Sequence, residues 1–218
     1  IALIEENSSD RIPDTGSAIA YTVQGPLSVQ PMPIDVAKDV RSIRIVSWNV
    51  LRDAPFKNNN SAAFIRILTA LQPDIVMFQE IYNTTTEEVR SYFVENLQIG
   101  AESQWEATRT NDCITVSRFP ILGGWSSDGN LVSRHDTAEI LGSNLLIANA
   151  HLPCCTSGES GRVRESQNIL NLVEARLNEI TDVPQTVLIG GDLNSGGLAP
   201  ELILLTSGLL PLEMASPR

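Results

Sequence analysis

Four short runs of β-forming apolar residues recur along this chain, and each ends on an acceptor-rich polar signature. RSIRIV leads into Ser47-Trp48-Asn49, PDIVMF into Gln79-Glu80, NLLIA into Asn149-Ala150-His151, and TVLIG into Gly191-Asp192-Leu193-Asn194. Runs this short, rich in Val and Ile, read as buried strands. A strand end is rigid enough to hold a reactive group and open enough for a ligand to reach it. Four such ends in one chain point to an enzyme.

The segments between them alternate in type. Phe64, Ile65, Leu68 and Leu71 predict a helix over 61–71. Thr84-Thr85-Thr86-Glu87 offers a capping box for a second helix carrying Val89, Tyr92, Phe93 and Leu97. Cys113 to Ser117 reads as a strand closed by Arg118-Phe119-Pro120, and 137–141 with 144–152 as an antiparallel hairpin across Gly142-Ser143. Val163, Gln167, Leu170, Val173 and Leu177 predict the longest helix over 161–180; a strand follows at 186–189 and a short helix at 200–207, ended by Gly208. Helices alternating with strands, then a hairpin, imply an α/β (α+β) sheet sandwich rather than a purely parallel sheet. Residues 1–40, with Pro13, Pro26, Pro31 and Pro33 and one candidate strand at 18–23, read as an N-terminal extension or linker from an upstream region. Residues 41–218 form the domain.

Composition narrows the function. With 218 residues, 42% of them hydrophobic, and a mean hydropathy of −0.01, the chain can bury one good core. No apolar run approaches the ~20 residues of a membrane helix. The net charge is −11, and Lys38 and Lys57 are its only lysines. Non-specific coating of nucleic acid needs a basic footprint, so that role is not expected. An anionic substrate is compatible if a metal or local Arg offsets the repulsion. Of the three cysteines, Cys154 and Cys155 are neighbours, and a bond between neighbours is strained. All three are expected to be buried or semi-buried thiols, and no Cys/His spacing suits zinc. There is no signal peptide, but the chain begins at Ile1 rather than Met, as after loss of a targeting segment or upstream domain. A secreted or periplasmic location is marginally favoured over a cytoplasmic one, and nothing in the pattern fixes an oligomeric state.

Glu80 is the sharpest single candidate, a carboxylate where an apolar strand leaves the core. Mg²⁺ takes oxygen ligands of this kind, commonly one or two carboxylates plus water and phosphate. Asp192 and Asn194 share one side if their strand persists; the acid suits water positioning and the amide suits a phosphoryl oxygen. His151 can donate to an oxyanion or protonate a leaving group. Asn49 at a core strand end is costly without a partner or a task. Taken singly, each has an ordinary alternative: a solvated carboxylate, an Asx turn, a structural histidine. Trp48 reads as packing and His135 as part of a solvated loop. Arg162, Arg164 and Arg176 read as a solvated helix face, with Arg164 a weak candidate for substrate contact. Jointly the four strand ends describe metal-assisted phosphoryl transfer.

In this order, Ser47-Trp48-Asn49, Gln79-Glu80, Asn149-Ala150-His151-Leu152 and Gly191-Asp192-Leu193-Asn194 resemble the endonuclease/exonuclease/phosphatase superfamily, the deoxyribonuclease I-like fold. The segment NDCITVSRFPI is similar to that family's strand ending in Ser-Arg-x-Pro-Ile. The resemblance implies a four-layer αββα sandwich. It implies Mg²⁺ on Glu80 with help from Asn49, Mn²⁺ or Ca²⁺ being alternatives. It places His151 and Asn194 on the scissile phosphate and Asp192 in proton transfer or water positioning. The implied reaction is hydrolysis of a phosphodiester or phosphomonoester by in-line attack of water.

Two departures from the family pattern shape the expectation. The family's terminal Ser-Asp-His strand has no counterpart before Pro217-Arg218, so the domain is expected to be incomplete at its C-terminus, without its last strands, and residues 1–218 alone to turn over weakly or not at all. Leu51 stands where apurinic endonuclease relatives carry an acid, which argues against DNA repair. The competing expectations are a catalytically inactive phosphate- or metal-binding module on the same fold, and an extracellular adhesion or scaffold protein in which residues 1–40 matter more.

Overall fold

The computed structural model describes residues 38–39, 41–57, 61–97, 104–179, 182–195 and 199–207. The expected strand at 18–23, the expected extension at 1–40 apart from residues 38–39, and the Gly208 helix stop lie outside them. Two four-stranded mixed sheets form the body of the domain. The first is ordered β1 (Ile45–Asn49), β2 (Ile75–Gln79), β4 (Cys113–Ser117), β3 (Glu106–Thr110). The second is ordered β5 (Ile121–Ser127), β6 (Asn130–His135), β7 (Asn144–His151), β8 (Gln185–Asp192).

Strands buried on both faces lose the polar–apolar alternation, and β2, β4 and β6 are buried throughout. Between the sheets, Ile75 and Met77 of β2 meet Leu145 and Ile147 of β7. On the outer face of the first sheet, helices α1 (Ser61–Leu71) and α2 (Thr86–Asn96) bury Leu68, Val89 and Phe93 against Val76, Phe78, Ile114 and Val116. On the outer face of the second, α4 (Glu159–Leu177) buries Ile169 and Val173 against Val132, Leu146, Ala148 and Ala150. Helix, sheet, sheet, helix is the expected four-layer sandwich. Trp48 packs on Phe64, ring centroids 4.5 Å apart, as expected.

Several local expectations are corrected. The capping box lies one residue later: Thr85 is the N-cap, its hydroxyl accepting from Glu88 N and its own N–H donating to the Glu88 carboxylate. No hairpin forms across Gly142-Ser143, because 138–141 is a helical turn, α3 (Ala138–Leu141), ended by Gly142 at φ 68°. β7 pairs instead with β6 on one side and β8 on the other. His135 is on β6, not in a solvated loop; it is fully buried, Ser133 Oγ lies 2.9 Å from its Nε2, and burial pushes its pKa down to about 4.

The arginines of α4 are not a solvated face. Arg176 and Arg134 both lie over the Trp125 ring, 5.1 and 5.3 Å from its centroid. Arg162 is buried, its Nε donating to Glu201 of α5 (Pro200–Ser207) at 2.7 Å and its Nη1 to the carbonyls of Pro153 and Cys155. Only Arg164 is well exposed, beside Glu165 at 3.4 Å. Cys113 is buried, whereas Cys154 and Cys155 are exposed free thiols rather than buried ones.

Candidate active site

Parallel pairing explains why the four signatures meet. Parallel neighbours end at the same sheet edge. β1 and β2 run parallel with Asn49 opposite Gln79, and β7 and β8 run parallel with His151 opposite Asp192. Each sheet therefore delivers two polar strand ends side by side. Packing the sheets face to face brings the two pairs together.

Asn49 is the joint. Its Nδ2 donates to Glu80 Oε1 at 3.0 Å and to Asp192 Oδ2 at 2.8 Å, while its Oδ1 accepts from Leu51 N at 3.0 Å. One amide thus bridges a carboxylate of the first sheet and one of the second. Deeper between the sheets, Gln79 Nε2 donates to Asn149 Oδ1 at 2.7 Å, and Asn149 Nδ2 to the carbonyls of Phe78 and Ile114, both 3.1 Å. Gln79 and Asn149 are fully buried, so these two signature residues lock the sheets together rather than face a ligand.

Glu80 is held in an unusual backbone conformation, φ 64°, directly after β2. Its Oε2 accepts from Arg52 N at 3.1 Å. The loop supplying Arg52 runs through three consecutive left-handed residues, Leu51, Arg52 and Asp53, at φ 46°, 54° and 61°. Such conformations persist only where surroundings over-determine them. Here the buried Asp53 accepts from the N–H groups of Tyr82, Asn83 and Thr84 at 2.9 to 3.1 Å. Burial alone would raise its pKa, but those N–H bonds hold it below the usual carboxylate range.

His151 comes from the end of β7. Its Nδ1 pairs with Asp112 Oδ2 at 2.7 Å and its Nε2 lies 3.8 Å from Asp192 Oδ2. The hydrogen bond from Asp112, helped by the charges of Asp112, Asp192 and Glu80 and opposed by partial burial, raises the imidazole pKa. Burial pushes Asp112 the other way, yet the His151 hydrogen bond and charge hold it low. Both shifts favour the charged forms of the two partners, and Nε2 is turned towards Asp192. Tyr82, 49% exposed, sits at the rim; burial and the neighbouring Asp112 and Glu80 charges raise its phenol.

β8 ends at Asp192, so Asn194 does not continue the strand. At φ 49° it turns back, its N–H donating to Asp192 Oδ1 at 3.0 Å and its Nδ2 to Leu152 O at 2.8 Å. Gly191, at φ 132°, leaves no room for a side chain: a Cβ there would overlap Ala150 O and lie 2.7 Å from Ala150 N. Gly191→Ala is therefore expected to lose about 2–4 kcal/mol by backbone strain and overpacking, read as a fall in urea midpoint. An unchanged midpoint would contradict this geometry.

Asp112, Asp53 and Tyr82 escape sequence reasoning. Asn111-Asp112 precedes the expected strand at 113–117 with no strand read before it, and only the β3–β4 hairpin places it under His151. Arg109 fixes that turn, its Nε donating to Asn111 O and its Nη atoms to Thr84 and Ile81 O at 2.6 to 2.7 Å. Arg164 is on the exposed side of α4 and joins none of these hydrogen bonds.

Residues 46–211 match the model of the endonuclease/exonuclease/phosphatase family. The chain belongs to this family. No curated protein matches it in sequence. Among solved structures it is similar to the human Nocturnin catalytic domain with bound sulfate, at 18% identity and TM-score 0.57, covering 76% of this chain and 68% of that one. It is also similar to ANGEL2, a 2′,3′-cyclic phosphatase (15% identity, TM-score 0.58, covering 77% and 57%). Beta toxin from Staphylococcus aureus is a third (19% identity, TM-score 0.50, covering 73% and 68%). At these identities the likeness is one of fold.

The donor set fits a hard cation. Glu80 and Asp192 offer carboxylate oxygens on either side of the Asn49 amide, with no sulfur donor among them. Among the described residues no cluster of three or more His, Cys, Asp or Glu forms a metal cage. Oxygen donors of this kind suit a hard cation better than a thiophilic one.

Proposed function

We propose that this domain is a divalent-metal-dependent phosphoesterase, hydrolysing a phosphodiester or phosphomonoester by in-line attack of water. The observation that carries the reading is the bridge from Glu80 through Asn49 to Asp192, with the hydrogen-bonded His151–Asp112 pair beside it. Acidic, amide and imidazole groups from both sheets meet there. Membership of a family of phosphate-ester nucleases and phosphatases supports it.

Glu80, with Asn49, would hold Mg²⁺, with Mn²⁺ or Ca²⁺ as substitutes. The bound ion supplies positive charge to a phosphoryl oxygen and offsets repulsion by a chain of net charge −11. His151 Nε2–H donates to a non-bridging oxygen or to the leaving oxygen. Asn194 retains one amide hydrogen beyond its bond to Leu152 O and offers it to the same phosphoryl group. Asp192 accepts from the attacking water and orients it, a role its two anchoring hydrogen bonds, from Asn49 and Asn194 N, leave sterically defined.

Calorimetry with Mg²⁺ and a non-hydrolysable phosphodiester analogue, on wild type and Glu80→Ala, tests the metal assignment. Wild type is expected to bind Mg²⁺, and Glu80→Ala to lose that heat while keeping its fold by circular dichroism. Equal binding by both proteins would overturn the assignment. Turnover of bis(p-nitrophenyl) phosphate with and without Mg²⁺ separates an enzyme from a binding module when read on a form that carries the family's Ser-Asp-His strand, residues 1–218 alone being expected to show little: Mg²⁺-stimulated hydrolysis supports the enzyme, and binding without turnover supports the module.

A further inference from the structure

Cys154 and Cys155 stand apart from the phosphoryl chemistry yet directly follow its histidine strand. β7 ends at His151, and three residues later two exposed thiols lie with their sulfurs 2.6 Å apart. Adjacent side chains of an extended segment point to opposite sides, so contact between neighbouring sulfurs needs a local reversal. The backbone supplies it at Cys155, which has φ 71°, a left-handed conformation in a non-glycine residue. That reversal is held in place. The buried Arg162 donates through Nη1 to Pro153 O at 3.1 Å and Cys155 O at 2.8 Å, while its Nε is anchored on Glu201 at 2.7 Å. Upstream, Leu152 O accepts from Asn194 Nδ2 at 2.8 Å. The fold thus clamps the main chain on both sides of a thiol pair and leaves both sulfurs open to solvent.

We infer that Cys154 and Cys155 form a reversible thiol-modification site, a vicinal dithiol that exchanges with low-molecular-weight disulfides. In the first step one thiolate attacks a sulfur of the external disulfide; that S–S bond breaks, a mixed disulfide forms, and one small thiolate leaves and takes up a proton. In the second, the neighbouring thiol gives its proton to solvent and its sulfur attacks the protein sulfur of the mixed disulfide, expelling the second small thiol. Two protein thiols are oxidised to one disulfide, and the external disulfide is reduced to two thiols. Both sulfurs are already in contact, so the second step is intramolecular and the mixed disulfide is short-lived. A ring closed between adjacent residues is strained, which makes it readily reducible. Arg162 holds the carbonyls of Pro153 and Cys155 about the pair, and Cys113, buried in β4, takes no part.

Incubation of the protein with oxidised glutathione, followed by acid quench, alkylation and mass spectrometry, tests the site. The expected product has lost the mass of two hydrogens, retains no glutathione, and alkylates at one of its three cysteines, Cys113. Millimolar reduced glutathione restores all three thiols. Cys154→Ser and Cys155→Ser each stop at a stable glutathione adduct on the remaining thiol, because the resolving sulfur is gone. Persistent adducts on the wild-type protein would overturn the inference, as would an unchanged mass, or a disulfide that involves Cys113 or joins two chains. Since the readout is mass alone, the result is independent of whether the domain hydrolyses phosphate esters.

Discussion

In the proposed reaction, read on a form that carries the family's Ser-Asp-His strand, His151→Ala is expected to lower kcat/KM for a phosphodiester by about 10²–10⁴, the range a positioned proton donor contributes. Asp112→Asn is the more informative partner, because it leaves the imidazole in place and removes the carboxylate that raises its pKa. The 2.7 Å contact from Asp112 to Nδ1 raises the His151 pKa, and Asp192 and Glu80 add to it. A raised pKa means that the imidazolium is fully present below the ordinary histidine value of about 6.5 and is lost only as pH rises through the higher, folded value. The alkaline limb of kcat/KM is therefore expected above neutral histidine behaviour. In Asp112→Asn that limb moves to lower pH, with a smaller loss in the low-pH plateau than His151→Ala shows. NMR titration of the His151 ring checks the same shift without turnover. An unmoved limb and titration in Asp112→Asn would refute the pairing. Stability follows the same signs: His151 contributes below its raised pKa and Asp112 above its lowered one. The pair thus stabilises the fold between those two values and ceases to do so outside them.

Arg162→Met costs about 3–5 kcal/mol, because it strands the Glu201 carboxylate in the interior. Glu201 is fully buried, and among the described residues Ser195 Oγ, donating at 2.9 Å, and its own backbone N–H would remain as partners. The double substitution Arg162→Met/Glu201→Leu is expected to regain much of that loss, since it removes both charges and fills the space with apolar groups. Urea unfolding of the wild type, two singles and the double gives the coupling directly. If the singles and the double are additive, the pair is not the source of the effect. The same guanidinium holds Pro153 O and Cys155 O, so Arg162→Met is also expected to slow ring closure at the dithiol.

Where sequence reading succeeded, the signal was local. β2 is five consecutive apolar or amide residues bounded by Asp74 and Glu80, and nothing but a buried strand accommodates that run. Helix α1 shows its apolar stripe directly, and α5 begins at a proline, which costs no hydrogen bond there. Where it failed, the missing information was the identity of a neighbour. Asn130–His135 carries Ser133, Arg134 and His135, so it reads as loop; it is a fully buried strand because Ser133 partners the His135 ring and Arg134 lies on Trp125. Residues 137–141 read as one strand of a hairpin, and α3 forms there instead, Gly142 adopting φ 68° to close the turn. Glu106–Thr110 and Ile121–Ser127 are half-polar edge strands whose pattern is weak until β4 and β6 pair with them.

The candidate site divides in the same way. Asn49, Glu80, His151, Asp192 and Asn194 announce themselves as polar residues at the ends of apolar strands, a contrast visible in one dimension. Gln79 and Asn149 look identical in that dimension, and only the packing of one sheet on the other shows that they face each other at 2.7 Å and hold the layers together. By itself the sequence determined the strand ends, the order of the motifs and the family they match, because burial of short β-branched runs is written in composition and spacing. Tertiary structure decided which polar ends converge, which are spent on packing, and that Asp112 lies against His151 Nδ1. Those outcomes depend on contacts between residues as many as 143 positions apart, from Asn49 to Asp192, which sequence spacing does not encode.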